Sequence, residues 1–150
     1  GRVMCAGGRV ALPKEMWGPP LQGAQDAAWT WNALPAMSRA RYGCSGCVMS
    51  DGRFAVLGGG GGTDYEPMSS CEVLTLGDST YWEPLPPMHD ARMNFACAAM
   101  AGCIIVAGGS SDCGGGLDGG VARTSAEVYD EALTRWIRLP CDFPSNMPSS

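Results

Sequence analysis

Three features of the chain have residue types and spacing that could do chemistry. The stretch Arg53–Gly62, RFAVLGGGGG, runs a short apolar segment into five glycines, the strand-then-glycine layout of a phosphate-binding loop. Cys44 and Cys47 form a Cys-x-x-Cys, a spacing used in zinc knuckles and redox pairs. His89 is the one histidine, and histidine is the side chain best placed for general acid–base work near neutral pH.

None of the three completes its site. A Walker-type loop needs Lys-Ser/Thr after the glycines and then a helix; here Thr63 and Asp64 follow, with no helical periodicity behind them. The dinucleotide fingerprint likewise needs a following helix and an acidic residue on a second strand. The Cys-x-x-Cys lies in a segment that reads as a strand, where positions i and i+3 face opposite sides and cannot grip one metal. No second Cys-x-x-Cys exists. His89 sits in PPMHDAR, a turn, where a solvated role is the plain reading. The sequence therefore predicts no enzyme activity, no metal site and no cofactor.

The elements that position these residues come from a repeat. Residues 1–8 read GRVMCAGG, 52–59 read GRFAVLGG and 102–109 read GCIIVAGG. Each has Gly, a variable residue, four mostly apolar residues and Gly-Gly. A second element follows each: WNALPAM from Trp31, WEPLPPM from Trp82 and WIRLPCD from Trp136. Between them fall KEMW (14–17), CEVL (71–74) and AEVY (126–129). A lead-in, ARYGCSGCVM (40–49), matches ARMNFACAAM (91–100). The unit is thus about 50 residues with four short strand-like runs bounded by turn residues, which fits a propeller blade. A four-stranded blade cannot bury both faces alone, so blades stack about an axis. Gly7-Gly8, Gly58-Gly59 and Gly108-Gly109 end the second strands, where the chain turns sharply. Trp31, Trp82 and Trp136 are expected to offer a flat apolar surface to a neighbouring blade.

These residues resemble the kelch repeat, whose pattern is a Met-x-x-x-Arg lead-in, a strand ending in Gly-Gly, then Glu-x-Tyr-Asp and a Trp. Met37 and Arg41, Met88 and Arg92, and Glu127-Val128-Tyr129-Asp130 with Trp136 carry the likeness. The second unit departs from it with Glu72-Val73-Leu74-Thr75, and the first with Glu15-Met16-Trp17. The fold expected is all-β: a kelch-type β-propeller segment of about three four-stranded antiparallel blades, an incomplete ring. Residues 1–36 form a partial blade lacking its first strand, 37–87 and 88–141 full blades, and 142–150 the start of another blade or a tail. Counted this way the blades hold eleven strands.

Composition narrows the function. The chain has 150 residues, net charge −5, pI about 4.7 and ten Lys plus Arg scattered along it, so nucleic acid is not expected as a partner. No apolar run approaches the ~20 residues of a membrane helix, and no membrane partner is expected. The eight cysteines, Cys5, Cys44, Cys47, Cys71, Cys97, Cys103, Cys113 and Cys141, fall irregularly between repeats. They read as free thiols and an intracellular setting, cytoplasmic or nuclear.

The loop after each Gly-Gly varies most, from short after Gly8 to longest at 110–125, and variable loops on a fixed scaffold carry recognition. The resemblance implies that ligand contacts come from residues just after Gly-Gly, here Arg9, Gly60 and Ser110, and just after the lead-in Arg, here Tyr42, Met93 and Asn94. Asp64, Tyr65 and Asp112 are neighbouring loop candidates. Arg41 and Arg92 are expected to bond loop carbonyls. The implied function is a protein-interaction module whose partners are another protein and the remaining blades of the same chain. Such propellers often present substrates for ubiquitination, fused to an F-box or BTB domain, and CSGCVMSDGRFAVLGG is similar to blades of plant-type F-box/kelch proteins. The alternatives are a fragment of a propeller-scaffold enzyme (an oxidase or sugar isomerase) and a cytoskeletal scaffold. Copper-oxidase propellers use two histidines and two tyrosines as ligands, and the lone His89 cannot build such a site.

Overall fold

A computed structural model describes residues 3–5, 15–21, 28–64, 66–111 and 121–140. Their regular structure is all strand. The first sheet takes β1 (Val3–Cys5), β2 (Glu15–Gly18) and β3 (Thr30–Ala33) in that order. The second takes β4 (Ser45–Val48) and β5 (Phe54–Leu57), then β8 (Cys71–Thr75) and β9 (Tyr81–Leu85). The third takes β10 (Ala96–Met100), β11 (Cys103–Ala107), β12 (Ala126–Asp130) and β13 (Arg135–Arg138). Every pairing is antiparallel between strands next to each other in their sheet, the up-and-down order of propeller blades. The expected eleven strands are joined by two more: β6 (Gly60–Gly61) and β7 (Glu66–Pro67) pair as a small hairpin between β5 and β8.

Alternation along the strands sets which face meets which sheet. In the third sheet Ile104, Val106, Tyr129 and Trp136 are buried, and they form one cluster with Ala55, Leu57, Cys71 and Val73 of the second. The opposite face of the second sheet sets Leu74, Phe54 and Trp82 against Met16 and Leu34 of the first unit. The second sheet is therefore covered on both sides. Ala55, Val56 and Leu57 are all essentially inaccessible, whereas β11 alternates between buried and half-buried positions.

Each interface carries the same indole contact. Trp82 Nε1 donates to the carbonyl of Pro35 at 2.9 Å, and Trp136 Nε1 donates to that of Pro86 at 2.8 Å. The indole thus fills the gap between sheets while its polar edge finds a carbonyl of the preceding unit. Trp136 also packs on Tyr129, with ring centroids 5.3 Å apart. Trp31 differs. It is 48% exposed and packs on Trp17 of its own sheet, centroids 5.4 Å apart.

The glycine pair answers to backbone crowding. Gly59 has φ +95°, and a Cβ there would lie 2.8 Å from the Tyr42 carbonyl. Gly109 has φ +88°, and its Cβ would lie 2.6 Å from the Met93 carbonyl. Both positions are closed to a side chain by conformation and by space. Gly7 and Gly8 lie outside the described residues.

The interface predicts a split among the tryptophans. Trp136→Ala should cost about 4 kcal/mol, and Trp31→Ala less than about 1 kcal/mol, by urea denaturation of the full chain. Equal costs would contradict the assignment of Trp136 to the inter-sheet core.

Candidate functional site

The segments after Gly-Gly and the lead-ins come together on one rim. Tyr42 and Gly60 exchange two backbone hydrogen bonds, at 3.1 and 2.7 Å. Met93 and Ser110 exchange the equivalent pair, at 3.2 and 2.9 Å. Two further bonds tie one unit to the next: Gly59 N–H to the Arg92 carbonyl and Asn94 N–H to the Gly43 carbonyl, each 2.8 Å. The rim is thus a continuous backbone network.

Beneath it, each lead-in arginine is buried. Arg41 Nη1 donates to the carbonyls of Gly58 (2.9 Å) and Ser70 (2.7 Å). Its Nη2 donates to Ser70 Oγ and Glu72 Oε2, both at 3.0 Å. Arg92 repeats the pattern on Gly108 (2.9 Å), Ser125 (2.8 Å), Ser125 Oγ (2.9 Å) and Glu127 Oε1 (3.1 Å). The glutamates in turn accept from the lead-in backbone: Ser38 N–H on Glu72 at 2.9 Å, His89 and Asp90 N–H on Glu127 at 2.8 and 2.9 Å. The planar guanidinium fork suits this task, because it serves two carbonyls and a carboxylate at once.

His89 has a structural partner. Its Nδ1 lies 2.9 Å from Glu127 Oε2 while the ring stays partly exposed. Burial alone pushes the Glu127 carboxyl up, but the His89 and Asp90 N–H groups, then the His89 and Arg92 side chains, outweigh it and hold the group below the ordinary 4.5. Asp90 behaves alike: burial raises it, and the Ser125 hydroxyl with Arg123, Arg138 and Arg92 brings it below 3.8.

The predicted rim residues separate by accessibility. Asn94 is exposed, at φ +52°, a conformation asparagine tolerates, with its side chain over Gly43. Asp64 is exposed in the turn of the β6–β7 hairpin. Tyr42 and Ser110 are half-buried. Met93 is only 3% exposed, and Gly60 is buried, hemmed in by the Tyr42 ring and the Met93 methyl. Arg9, Tyr65 and Asp112 lie outside the described residues. Beside the hairpin is a recess of about 610 Å³, where Arg39 and Ala40 of one lead-in, Ala91 of the next, and Gly62, Glu66 and Met68 of the hairpin segment converge. Among the described residues no group of three His, Cys, Asp or Glu could hold a metal, and no helix is long and apolar enough to cross a membrane.

Ser70 and Ser125 were not singled out from sequence as arginine partners, although a signal exists. Ser70-Cys71-Glu72 and Ser125-Ala126-Glu127 share a Ser-x-Glu spacing, which puts hydroxyl and carboxylate on one face of a strand.

No family model matches the chain. Among characterised proteins it is similar to three F-box/kelch-repeat proteins of Arabidopsis thaliana. One is 40% identical over 82 residues, 48% of this chain and 18% of the relative. SKIP30 is 31% identical over 120 residues, 73% of this chain and 32% of the relative. OR23 is 32% identical over 120 residues, 71% of this chain and 27% of the relative. The chain thus spans about a third or less of the relatives it matches.

Buried and solvated ion pairs should respond differently to truncation. Arg92→Ala should destabilise by about 4 kcal/mol, because it strands Glu127 without its charge partner. Arg53→Ala should cost no more than about 1 kcal/mol, since its partners Asp51 and Glu83 are well solvated. Acid titration tests the carboxylates. A carboxyl held below its ordinary 4.5 contributes stability that is full above that pH and is lost as pH falls from there through the lower folded value. Glu127→Gln should remove part of this acid-dependent loss in denaturant melts followed from pH 7 to 3; an unchanged pH profile would contradict the role given to Glu127.

Proposed function

The chain belongs to the kelch-repeat family, and from that premise we propose that it works as a protein-interaction module whose binding surface is the loop rim. The observation that carries this reading is the contrast between a rigid base and accessible loop side chains. Buried Arg41 and Arg92 fix the Gly-Gly exits and lead-ins, while Asp64 and Asn94 project from that frame. Recognition from loops on a fixed scaffold is the usual arrangement. The recess beside the hairpin, with Arg39 and Glu66 among its lining residues, provides a concave seat for a partner side chain. Within the rim, Asp64 and Asn94 are the contact residues, and Gly60 and Met93 support them from below.

The partner is another protein, and the role is substrate recognition for a ubiquitin ligase. The F-box/kelch-repeat names of the three relatives support this, as does the acidic, cation-poor composition, which disfavours a nucleic acid. Further blades of the same protein pack on the outer face of the third sheet. There Ile137 is 39% and Leu139 41% exposed, on the side opposite the second sheet. Free thiols at Cys47, Cys71, Cys97 and Cys103 support an intracellular setting.

Affinity capture from an extract of the source organism tests the rim. Asp64→Ala combined with Asn94→Gly removes both side chains and keeps the positive φ at position 94 without strain. The expected result is a partner retained by the native chain, tenfold or more weaker on the double variant, at unchanged Tm. Equal retention by both would overturn the choice of rim.

A further inference from the structure

The first strands of the second and third sheets, β4 and β10, run side by side across the inter-sheet boundary. Their register is set at the rim end. Asn94 N–H bonds the Gly43 carbonyl at 2.8 Å, and Ser45 Oγ donates to the Phe95 carbonyl at 2.8 Å. Two residues further along each strand stand Cys47 and Cys97. Side chains repeat their direction every two residues, so Cys47 projects on the same side as Ser45, toward the third sheet. Pairing in the sheets agrees. Cys47 is opposite Ala55, and Cys97 is opposite Val106, and both of those partners are fully buried in the shared core. The two thiols therefore enter one interface from opposite walls. They pack on the same apolar cluster, close enough for each thiol to shift the titration of the other.

We propose that Cys47 and Cys97 are an oxidation site, a thiol pair that closes to a disulfide joining the two sheets when a peroxide reaches it. Two observations favour this pair over the other thiols. Both residues are half-buried, so a molecule as small as hydrogen peroxide can reach them. Each has the other as neighbour across the boundary between β4 and β10. Cys71 is a poor competitor, buried in the cluster with its thiol pushed up to about 11 by burial.

The chemistry balances with hydrogen peroxide as oxidant. The thiolate of one cysteine of the pair attacks one peroxide oxygen, the O–O bond breaks, and with one proton taken up the products are its sulfenic acid and water. The other sulfur then attacks the sulfenic sulfur, the S–O bond breaks, and the hydroxide leaves with the second thiol's proton as a second water. Two thiols give up two electrons, and one peroxide becomes two waters. A dithiol reductant reverses the product. The bond would close a loop of about 50 residues, and such loops restrict the unfolded chain strongly.

The test uses the full chain. Reduced protein is treated with a small excess of hydrogen peroxide, remaining thiols are alkylated, and peptides are mapped by mass spectrometry without reduction. The expected result is one cross-linked pair of peptides containing Cys47 and Cys97, two fewer titratable thiols, and a Tm higher by about 10 °C that dithiothreitol returns to its starting value. Cys97→Ser and Cys47→Ser should each abolish the linkage, and the thiol left without its partner should accumulate as sulfenic acid, trapped by dimedone. Cross-links confined to other cysteines, or full alkylation of both Cys47 and Cys97 after peroxide, would overturn the proposal. The mapping of the native chain decides it even where a variant fails to fold.

Discussion

The buried arginine–glutamate pair is the constraint on which the rest depends. Arg41 and Arg92 are, respectively, 1% and 0% exposed, and each lies against a glutamate that is itself buried. A charge taken out of water is tolerated only when its partner and its remaining donors are all served. That condition dictates local structure. The Gly-Gly exit must present its carbonyl inward, the Ser-x-Glu strand must start at the right height, and the lead-in must curl so that its N–H groups reach the carboxylate. Each requirement concerns a different stretch of sequence, and one guanidinium coordinates all of them. The two copies are not identical. Arg41 adds an Nε bond to Glu72 at 3.3 Å, whereas Arg92 Nε has no partner among the described residues. In the Arg92 copy the carboxylate is also turned toward His89 and Asp90.

From this polar frame the packing follows in a second layer. The indoles of Trp82 and Trp136 lie across the boundaries between units and bond to a carbonyl on the far side. The apolar cluster then extends from Met49 and Ala55 to Ile104 and Trp136. Hydrophobic contact supplies the larger part of the stabilisation, while the hydrogen-bonded edges fix the angle and register at which it is made. Near the other end of the interface, the Ser50 hydroxyl, just past β4, bonds the Glu131 carboxylate in the turn after β12, so the third sheet holds β4 at both of its ends.

Much of this was legible from residue order. The period of about 50 gave the blades, and the placing of Gly58-Gly59, Trp82 and Arg92 gave their ends, interface and frame, because each recurs in register and each has a local physical reason. The hairpin β6–β7 was missed because its strands are two residues long and glycine carries no strand preference. Burial of Met93 was missed for another reason. Its position after the lead-in arginine suggested an open rim, but its methyl lies over Gly60, a residue without a side chain to hold it off. Trp31 was expected at an interface by analogy with its counterparts, yet burial depends on which sheet stands beside it. Local sequence gives the type of element; exposure is set by the neighbour.

The indole contact has a bearing on how such a chain can be lengthened or shortened. Trp82 and Trp136 each bond to the unit before them, at a proline that follows a leucine, and Leu34-Pro35, Leu85-Pro86 and Leu139-Pro140 all carry that dipeptide. Each unit therefore ends in the same socket, and the second and third bring the same plug. Unequal crossing-over that duplicates or deletes a whole unit would rejoin a matching socket and plug, so gene rearrangement in steps of one repeat leaves the mechanical joint intact.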